Sequence, residues 1–370
     1  MRFAKVILFL LPFFIAQARA DDWQVTQVDG RDYVSFENVA QFYRFPKFTR
    51  VGNTISLQDA HRRLRAQTGA SEFMINGVRF FSDYPLRSSG NQDLVSAIDV
   101  AKIIEPVLRP NKIKGAEKIE TVVLDPGHGG TDNGASGRWG SEKTYTLAVA
   151  LTAREQLLRA GFKVEMTRSG DQDVSLDQRI AFANRFTNAV FISIHFNSSN
   201  GGAGVESYAL APAGVPSDAA SETHVSAEDA RWCPGNADDP SNIAIAAAVH
   251  AAILSHVSTF DRGVRHARFR VLRDIKIPAV LVEAGFLSDA AESAEIATAS
   301  YRQKLGRAIA QAVTSYNAAV NFHNAEPAAF AVAPATNLPP HTRPITESLG
   351  ATPAAHLPAQ EPSAVIGGSN

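Results

Sequence analysis

The apolar positions between residues 119 and 321 follow two alternating patterns. Continuous apolar runs, as in IETVVLD and AVFISIHF, predict strands that are buried on both faces. Stretches with apolar residues every three or four positions, as in SEKTYTLAVALTAREQLLRAG, predict amphipathic helices. Because strands and helices alternate along the chain, the pattern predicts an α/β fold, with a mainly parallel sheet covered by helices on both faces.

The same two patterns account for the rest of this region. They predict further strands in FKVEMTR, GVESYAL, FRVLR and PAVLVEAGF. They also predict further helices in SLDQRIAFANRF, SNIAIAAAVHAAILSHV and YRQKLGRAIAQAVTSYNAAV. Since strands and helices alternate from residue 119 to residue 321, we interpret this range as one domain.

Residues 21–110 have a different pattern. Asp29-Gly30 and Asn76-Gly77 each separate two short apolar runs, which predicts tight hairpin turns. One helix is predicted to start near Ser35, and a second one in QDLVSAIDVAKIIEPVL, where apolar residues recur at helical spacing. We therefore expect a small α+β domain built from two related halves, each a hairpin followed by a helix. The polar residues 111–118 form the predicted linker to the larger domain.

The two ends of the chain differ from both domains. Residues 1–20 combine a basic start, the apolar run VILFLLPFFIA and the ending Ala18-Arg19-Ala20, which is typical of a cleaved secretory signal peptide. An uncleaved anchor is the alternative, but the run is shorter than the roughly 20 residues that span a bilayer. Residues 322–370 are rich in Ala and Pro without a sustained period, so we predict a disordered tail.

Composition narrows the function classes. Lys and Arg together number 36 and Asp and Glu 37, so the chain shows no basic excess that would favour nucleic-acid binding. The hydrophobic share of 45% is ordinary for a globular protein with a core. Cys233 is the only cysteine, which excludes both an internal disulfide and a zinc site made of several thiolates.

Polar residues that suit catalysis follow the strongest apolar strands. His128 comes just after TVVLD, His195 ends VFISI, and Glu283 ends PAVLV. Glu142 starts the helix that follows the glycine-rich loop. Because the carboxyl ends of parallel strands meet at one edge of a sheet, these four side chains are expected to converge there.

Two imidazoles and two carboxylates are enough for a catalytic zinc site. Such a site uses three protein ligands and keeps one position for water, while a remaining carboxylate serves as general base. The loop GHGGTDNGASGRWGSEK lacks the ending of a phosphate-binding loop, which argues against a nucleotide site. Taken singly, His128 also fits a turn, His195 a buried structural histidine, and Glu142 a favourable charge at a helix start.

The motifs resemble a known family. LDPGHGG with SEK, then TR, R…AN, SIHFNS, GVESY and PAVLVEAGFLSD, in this order, resemble the zinc-dependent N-acetylmuramoyl-L-alanine amidases of the amidase-3 type over residues 119–321. The resemblance implies that His128, Glu142 and His195 hold one zinc ion and that Glu283 is the catalytic acid/base. It also implies cleavage, in peptidoglycan, of the amide between N-acetylmuramic acid and L-alanine.

The resemblance carries further expectations about place and partners. It implies an exported enzyme of the periplasm or cell envelope, active in wall remodelling or cell separation. Residues 21–110 loosely resemble the amine-oxidase-N-terminal-like domains of cell-wall enzymes, which suggests a wall-binding or spacer module. A zinc peptidase or deacetylase acting on another amide, and a non-catalytic wall-binding protein, remain the alternatives.

Several polar residues have two interpretations each. Asp125 either orients His128 as a hydrogen-bond acceptor or simply ends its strand. Asn197 either binds substrate or caps a turn. Arg168 and Arg179 are expected to stabilise the fold rather than touch substrate.

The insert at residues 211–242 is polar and contains several prolines. Some members of the resembled family carry an inhibitory helix here, which an activator protein removes, so an activator is a further implied partner. We predict instead that this insert forms a wall of the substrate cleft, with a short plug as the alternative.

Overall fold

The computed structural model describes residues 23–217 and 226–322. The predicted signal peptide, residues 1–20, and the predicted tail beyond residue 322 lie outside these ranges. Among the helices that the structure describes, none is both long and apolar enough to cross a membrane.

The elements follow in chain order. The strands are β1 Val25–Val28, β2 Arg31–Ser35, β3 Lys47–Val51, β4 Thr54–Gln58, β5 Arg63–Gln67, β6 Glu72–Ile75, β7 Val78–Phe81, β8 Arg87–Ser89, β9 Gln92–Ser96, β10 Thr121–Pro126, β11 Ser136–Gly137, β12 Gly140–Ser141, β13 Lys163–Met166, β14 Ala189–Asn197, β15 Val205–Leu210, β16 Asp261–Ala267 and β17 Ala279–Phe286. The helices are α1 Phe36–Phe42, α2 Ala97–Asp99, α3 Glu105–Leu108, α4 Glu142–Arg159, α5 Leu176–Ala183, α6 Asp239–His256, α7 Arg270–Asp274, α8 Ala290–Ile296 and α9 Ala299–Asn321. A π-helical turn, Val100–Ile104, joins α2 to α3.

The centre of the main sheet is parallel, as predicted. β13, β10, β14 and β17 are neighbours in that order and run in the same direction. β15 then pairs antiparallel with β17, and β16 runs parallel to β15. Because β15 runs antiparallel to β17, the carboxyl end of β15 lies beside the amino end of β17.

Helices cover both faces of this sheet. Val122 and its neighbours on one face pack with α4, α6 and α9 in the larger core. Val123 and Phe191 on the other face pack in a smaller core that includes Ala183 of α5 and Leu272 of α7. All six residues of β10 are buried, which explains why its sequence is a continuous apolar run.

The hairpin turns predicted near the N-terminus are confirmed. Asp29 and Gly30 have φ values of 51° and 75°, and Asn76 and Gly77 have values of 52° and 87°. Positive φ at both central residues is what a two-residue hairpin turn requires. The two turns join β1 to β2 and β6 to β7 in antiparallel register.

The arrangement of these hairpins differs from the expectation. β1, β2, β9 and β8 form one small sheet, so the second hairpin-and-helix half is β8, β9 and the following helix. The hairpin of β6 and β7 belongs instead to an antiparallel meander that also contains β3, β4 and β5. The predicted helix in QDLVSAIDVAKIIEPVL therefore begins too early, because Gln92–Ser96 is strand β9.

One strand of the larger region was also misplaced. FRVLR was predicted as a strand, but Arg270–Asp274 is helix α7. The strand is the preceding segment, Asp261–Ala267, which has few large apolar residues. It is a strand because β15 pairs with it on one side and β7 on the other. The pairing with β7 joins the meander and the parallel strands into one 11-stranded sheet.

The predicted boundaries at residues 110 and 119 therefore separate segments that share a sheet. Within the predicted linker, Ile113 and Ala116 pack against the larger core. The backbone N–H of Ile119 donates to Asn317 Oδ1 of α9 at 2.8 Å. The division into independent domains stays a prediction.

Helices α4 and α9 pack closely at Gly306. A Cβ added there would lie 2.6 Å from Thr152 Cβ and 2.9 Å from the backbone nitrogen of Ala153. Gly306→Ala should therefore lower the free energy of unfolding by about 1–3 kcal/mol, as overpacking usually does. That loss corresponds to a fall in Tm of about 2–4 °C per kcal/mol, measurable by differential scanning calorimetry.

The matched control is Gln303→Ala at an exposed position of the same helix, which should change stability by less than about 0.5 kcal/mol. If Gly306→Ala is more stable than the wild type, the higher helix propensity of alanine outweighs any steric clash. That result would contradict the close packing of α4 and α9 at this position.

Candidate metal centre

Three elements bring the predicted ligands together. His128 lies in the turn after β10, Glu142 is the first residue of α4, and His195 lies near the end of β14. One nitrogen or oxygen atom from each of these side chains lies within 4.8 Å of the other two, an arrangement that could hold a metal ion. The convergence expected from the strand ends is therefore present in the structure.

The carboxylate of Glu142 lies between the two imidazoles. Its Oε1 is 2.9 Å from His195 Nδ1, and its Oε2 is 3.1 Å from His128 Nε2. The backbone N–H groups of Phe196 and Ala135 also donate to these oxygens, at 3.0 and 2.8 Å. Four groups thus fix the orientation of a buried side chain that begins a helix.

The electrostatics of the site follow from this arrangement. Burial raises the pKa of Glu142, but the hydrogen bonds and positive charges of His128 and His195 outweigh burial and hold that pKa well below its usual range. Burial lowers the pKa of His128, but the hydrogen bonds and charges of Glu142 and Asp132 raise it above its ordinary value. The site therefore favours a positive charge at its centre.

Glycines allow the chain to approach these side chains closely. A Cβ at Gly127 would lie 2.3 Å from His195 Cε1. A Cβ at Gly134 would lie 2.5 Å from both Glu142 Oε2 and His128 Cδ2. The glycine-rich loop is therefore required to fit around the ligands, as well as to turn the chain back towards them.

Two buried arginines hold the turn that carries His128. Arg168 Nε donates to the carbonyl of Pro126 at 3.0 Å, and its NH2 group donates to Gly127 at 2.8 Å. Arg179 donates to Pro126 at 2.9 Å and to the carbonyl of His128 at 2.8 Å. Both arginines thus bind backbone, which agrees with the expectation that they stabilise the fold.

Of the two interpretations of Asp125, the one in which it accepts a hydrogen bond from His128 is wrong. Asp125 Oδ1 accepts from Thr167 at 2.6 Å and from Arg179 at 2.5 Å, and its Oδ2 accepts from Ser193 at 2.8 Å. The strand pleat explains this, since Asp125 is directly opposite Ser193 in the β10–β14 register. Burial raises the pKa of Asp125, but the charge of Arg179 and these hydrogen bonds lower it below its usual value.

The acceptor for His128 is Asp132. His128 Nδ1 lies 2.7 Å from Asp132 Oδ2, and the backbone N–H of Gly134 donates to the other oxygen at 2.9 Å. A carboxylate on Nδ1 fixes the ring and leaves Nε2 for a metal. Sequence reasoning missed Asp132, although an acid four residues after a histidine in a tight loop is a usable signal.

Glu283 lies beside the three ligands. It is directly opposite His195 in β14 and opposite Glu206 in β15, so the three side chains share one face of the sheet. Its Oε2 is shielded from solvent and has no hydrogen-bond partner among the residues the structure describes. Burial, followed by the negative charges of Glu142 and Glu206, raises the pKa of Glu283 well above its ordinary value.

Glu206 is a second site residue that the sequence analysis did not select. It is buried and accepts hydrogen bonds from Arg262 at 2.8 Å, Tyr208 at 2.9 Å and Asn197 at 3.2 Å. A glutamate inside the otherwise apolar segment GVESYAL was the available signal. Asn197 lies at the site and donates to this carboxylate, while its predicted role in substrate binding stays a prediction.

The described parts of the insert do not border this centre. β15 runs antiparallel to β17 and ends at Leu210, far from the register position of Glu283. Asn242, at the other end of the insert, accepts a hydrogen bond from the first residue of β17, Ala279, at 2.8 Å. Residues 211–217 and 226–242 therefore join the sheet at its opposite end, and the cleft-wall prediction is wrong for them; residues 218–225 lie outside the described ranges.

Comparison with known proteins shows the family of the chain. The Amidase_3 family model, described as N-acetylmuramoyl-L-alanine amidase, matches residues 122–315. The chain belongs to this amidase family. The matched range contains the three candidate metal ligands and Glu283.

Individual amidases are also similar to this chain. The sporulation-specific N-acetylmuramoyl-L-alanine amidase of Bacillus subtilis is 35% identical over 188 residues, which are 50% of this chain and 64% of that protein. The chain thus spans less than two thirds of that relative. AmiA of Escherichia coli is 31% identical over 253 residues, 62% of this chain and 87% of AmiA. The solved catalytic domain of CwlV from Bacillus (Paenibacillus) polymyxa is 32% identical, with a TM-score of 0.44, over 54% of this chain and 98% of that domain.

Replacing the carboxylate of Asp132, which contacts His128, tests the geometry of the candidate metal centre. Asp132→Asn keeps the size of the side chain but weakens the hydrogen bond that orients the imidazole. Zinc affinity, measured by competition with a chromogenic chelator, should fall about 10–100-fold. Glu155→Gln, an exposed position on α4, should leave the affinity unchanged. Equal affinities for Asp132→Asn and the wild type would show that this contact does not support metal binding.

The raised pKa of Glu283 predicts a pH-dependent cost in stability. A glutamate in the unfolded chain has a pKa of about 4.3, whereas the pKa of Glu283 in the folded protein is higher. The free energy of unfolding therefore falls as the pH rises from the unfolded pKa towards the folded pKa. Metal-free Glu283→Gln should therefore have a higher Tm than the metal-free wild type at about pH 7 and the same Tm at about pH 3.5.

Exposed Glu295→Gln is the control and should show no such gain at neutral pH. A Glu283→Gln variant without a higher Tm at neutral pH would mean that the carboxylate is not destabilised by its surroundings.

Proposed function

We propose that this chain is a zinc-dependent N-acetylmuramoyl-L-alanine amidase, which cleaves the amide between N-acetylmuramic acid and the L-alanine of the stem peptide in peptidoglycan. The observation that carries the proposal is the grouping of His128, Glu142 and His195 beside Glu283 in a chain of the amidase family. Peptidoglycan lies outside the cytoplasmic membrane, so we also propose that the protein is exported to the periplasm or cell envelope.

The residues present fit one zinc ion per chain. Two imidazoles and one carboxylate are the donor set of a catalytic zinc site that leaves a position open. Glycines at positions 127 and 134 allow the backbone to pass directly beside these donor side chains. Zinc, when bound, supplies Lewis acidity towards water and towards the carbonyl of the scissile amide.

Glu283 is the group that moves the proton. Its Oε2 takes a proton from the water as the new C–O bond forms at the lactyl carbonyl of N-acetylmuramic acid. The same oxygen then gives the proton to the nitrogen of L-alanine as the C–N bond breaks, which releases a carboxylic acid and a free amine. Its surroundings raise the pKa of Glu283, which makes the carboxylate a stronger base for the uptake of this proton.

The remaining residues of the site orient the reacting groups. The Glu142 carboxylate is fixed by His195 and by the backbone N–H of Phe196, so little rearrangement accompanies the reaction. Glu206 provides a fixed negative charge next to Glu283 and is itself held by Arg262. We propose that such an enzyme acts in wall remodelling or cell separation; an activator protein, and a wall-binding or spacer role for residues 21–110, stay predictions.

A zinc peptidase or deacetylase would use the same four residues on another amide. Mass analysis of products from purified sacculi separates the possibilities, because the amidase releases stem peptides that begin with L-alanine. Release of shorter peptides or of acetate without such stem peptides would overturn the proposal. A non-catalytic wall-binding protein would release none of these products.

Glu283→Gln tests the assignment of the proton-transfer residue. The variant should lose activity on sacculi by about 10²–10⁴-fold, since the amide of Gln cannot accept the proton. Its zinc content, measured by atomic emission spectrometry, should equal that of the wild type, because Glu283 is not one of the three ligands. Exposed Glu295→Gln should retain full turnover. Full turnover by Glu283→Gln would refute the assigned role.

A further inference from the structure

The hairpin of β6 and β7 is docked on the catalytic part of the sheet. Phe80 of β7 is opposite Val264 of β16 in the parallel pairing. The backbone N–H of Arg79 donates to Asp261 Oδ2 at 3.1 Å. A Cβ at Gly263 would lie 2.9 Å from Phe81 Cε2, so the two strands approach without a gap.

At this junction the ring of Phe81 lies against Arg265. The guanidinium carbon is 3.5 Å from the ring centroid. Such a contact is attractive, because the face of an aromatic ring is electronegative, and it also restricts the rotamers of the long arginine side chain. The hairpin therefore helps to set the position of an arginine on β16.

Arg265 in turn faces the buried carboxylate of Glu206. Its Nε lies 3.9 Å from Glu206 Oε1, the oxygen that Arg262 Nε contacts at 2.8 Å. Tyr208 donates to the other oxygen at 2.9 Å. Glu206 is only 4% exposed, so its charge depends on these partners and its position follows theirs.

Glu206 is opposite Glu283 in the pairing of β15 with β17. A continuous series of contacts thus leads from Phe81 through Arg265 to Glu206, which is the neighbour of the proton-transfer residue. As cross-strand partners, Glu206 and Glu283 have side chains that lie side by side on one face of the sheet. A shift of Glu206 therefore changes the surroundings of the reacting carboxyl group.

We propose that Phe81 is a positioning residue for catalysis, which acts through Arg265 and Glu206 on Glu283. The hairpin of β6 and β7 then completes the wall of the active site and is more than a spacer. This inference rests on the proposed function for its activity readout. A displacement of the reacting groups by about 1 Å can lower the rate by up to about 10²-fold. A residue that is not a metal ligand can therefore affect kcat through its contacts.

Phe81→Leu is the main test, since it keeps an apolar side chain but removes the aromatic face. We expect kcat on sacculi to fall roughly 3–30-fold, with KM and zinc content unchanged, because binding and the metal ligands are untouched. Phe81→Tyr keeps the ring and should retain nearly full kcat. If Phe81→Leu retains the wild-type kcat, or if Phe81→Tyr loses as much as Phe81→Leu, the inference is overturned.

Phe48→Leu is the matched control for a general effect on folding. Phe48 lies on β3 of the same meander and is likewise partly buried, but it has no place in the series of contacts to Glu283. Its kcat should stay at the wild-type value even if its Tm falls. An equal loss of kcat in Phe48→Leu and Phe81→Leu would show a structural effect and overturn the positioning role.

A double-mutant cycle shows whether Phe81 acts through Arg265. In the background of Arg265→Met, Phe81→Leu should cause no further loss of kcat, because the intermediate contact is already absent. Additive losses from the two substitutions would overturn the proposed route.

The proposed function can fail separately. If the wild type releases no stem peptides from sacculi, the amidase proposal fails. The positioning role of Phe81 is then tested by crystal structures of the wild type and of the Phe81 variants. Displacement of Glu206 relative to Glu283 in Phe81→Leu, but not in Phe81→Tyr, would support it. Unchanged positions of both carboxylates in Phe81→Leu would overturn it.

Discussion

The candidate site depends on how two buried arginines bind the turn after β10. Arg168 and Arg179 together donate to three successive carbonyl groups, those of Pro126, Gly127 and His128. His128 has a φ of 60°, a conformation that costs free energy in any residue other than glycine. The hydrogen bonds of the arginines offset that cost, and Asp125 balances the charge of Arg179. A buried charge pair is a weak source of stability, so its benefit here is the fixed direction of His128.

The sequence was sufficient to place the four central residues, because each follows an apolar strand or starts the next helix. His195 and Glu283 lie opposite each other on strands that are adjacent and parallel, although both strands continue beyond them, to Asn197 and Phe286. Contacts within the loop could not be predicted in the same way. Asp132 rather than Asp125 binds His128, because the pleat directs Asp125 towards Ser193, and a pattern of apolar residues does not reveal side-chain direction in a loop.

Errors in the fold arose where pairing partners, rather than local sequence, decide the structure. DRGVRHA has little apolar periodicity and is nevertheless strand β16, since β15 and β7 supply its hydrogen bonds. FRVLR alternates like a strand, yet Val271 and Leu272 reach the smaller core from a short helix. Leu94 and Val95 fit a helix and a strand equally well, and pairing with β2 selects the strand. Tertiary context of this kind overrides local preference.

The reversed direction of β15 separates two parts of the molecule that are close in sequence. The candidate metal centre lies towards the end of the sheet where β14 and β17 finish, whereas Leu210 and Asn242, which flank the insert, lie at the opposite end. Exposed connections tolerate insertion and sequence drift far better than ligand-bearing loops do. The described residues 211–217 and 226–238 hold none of the candidate metal ligands, so substitutions there are expected to leave the candidate metal centre intact.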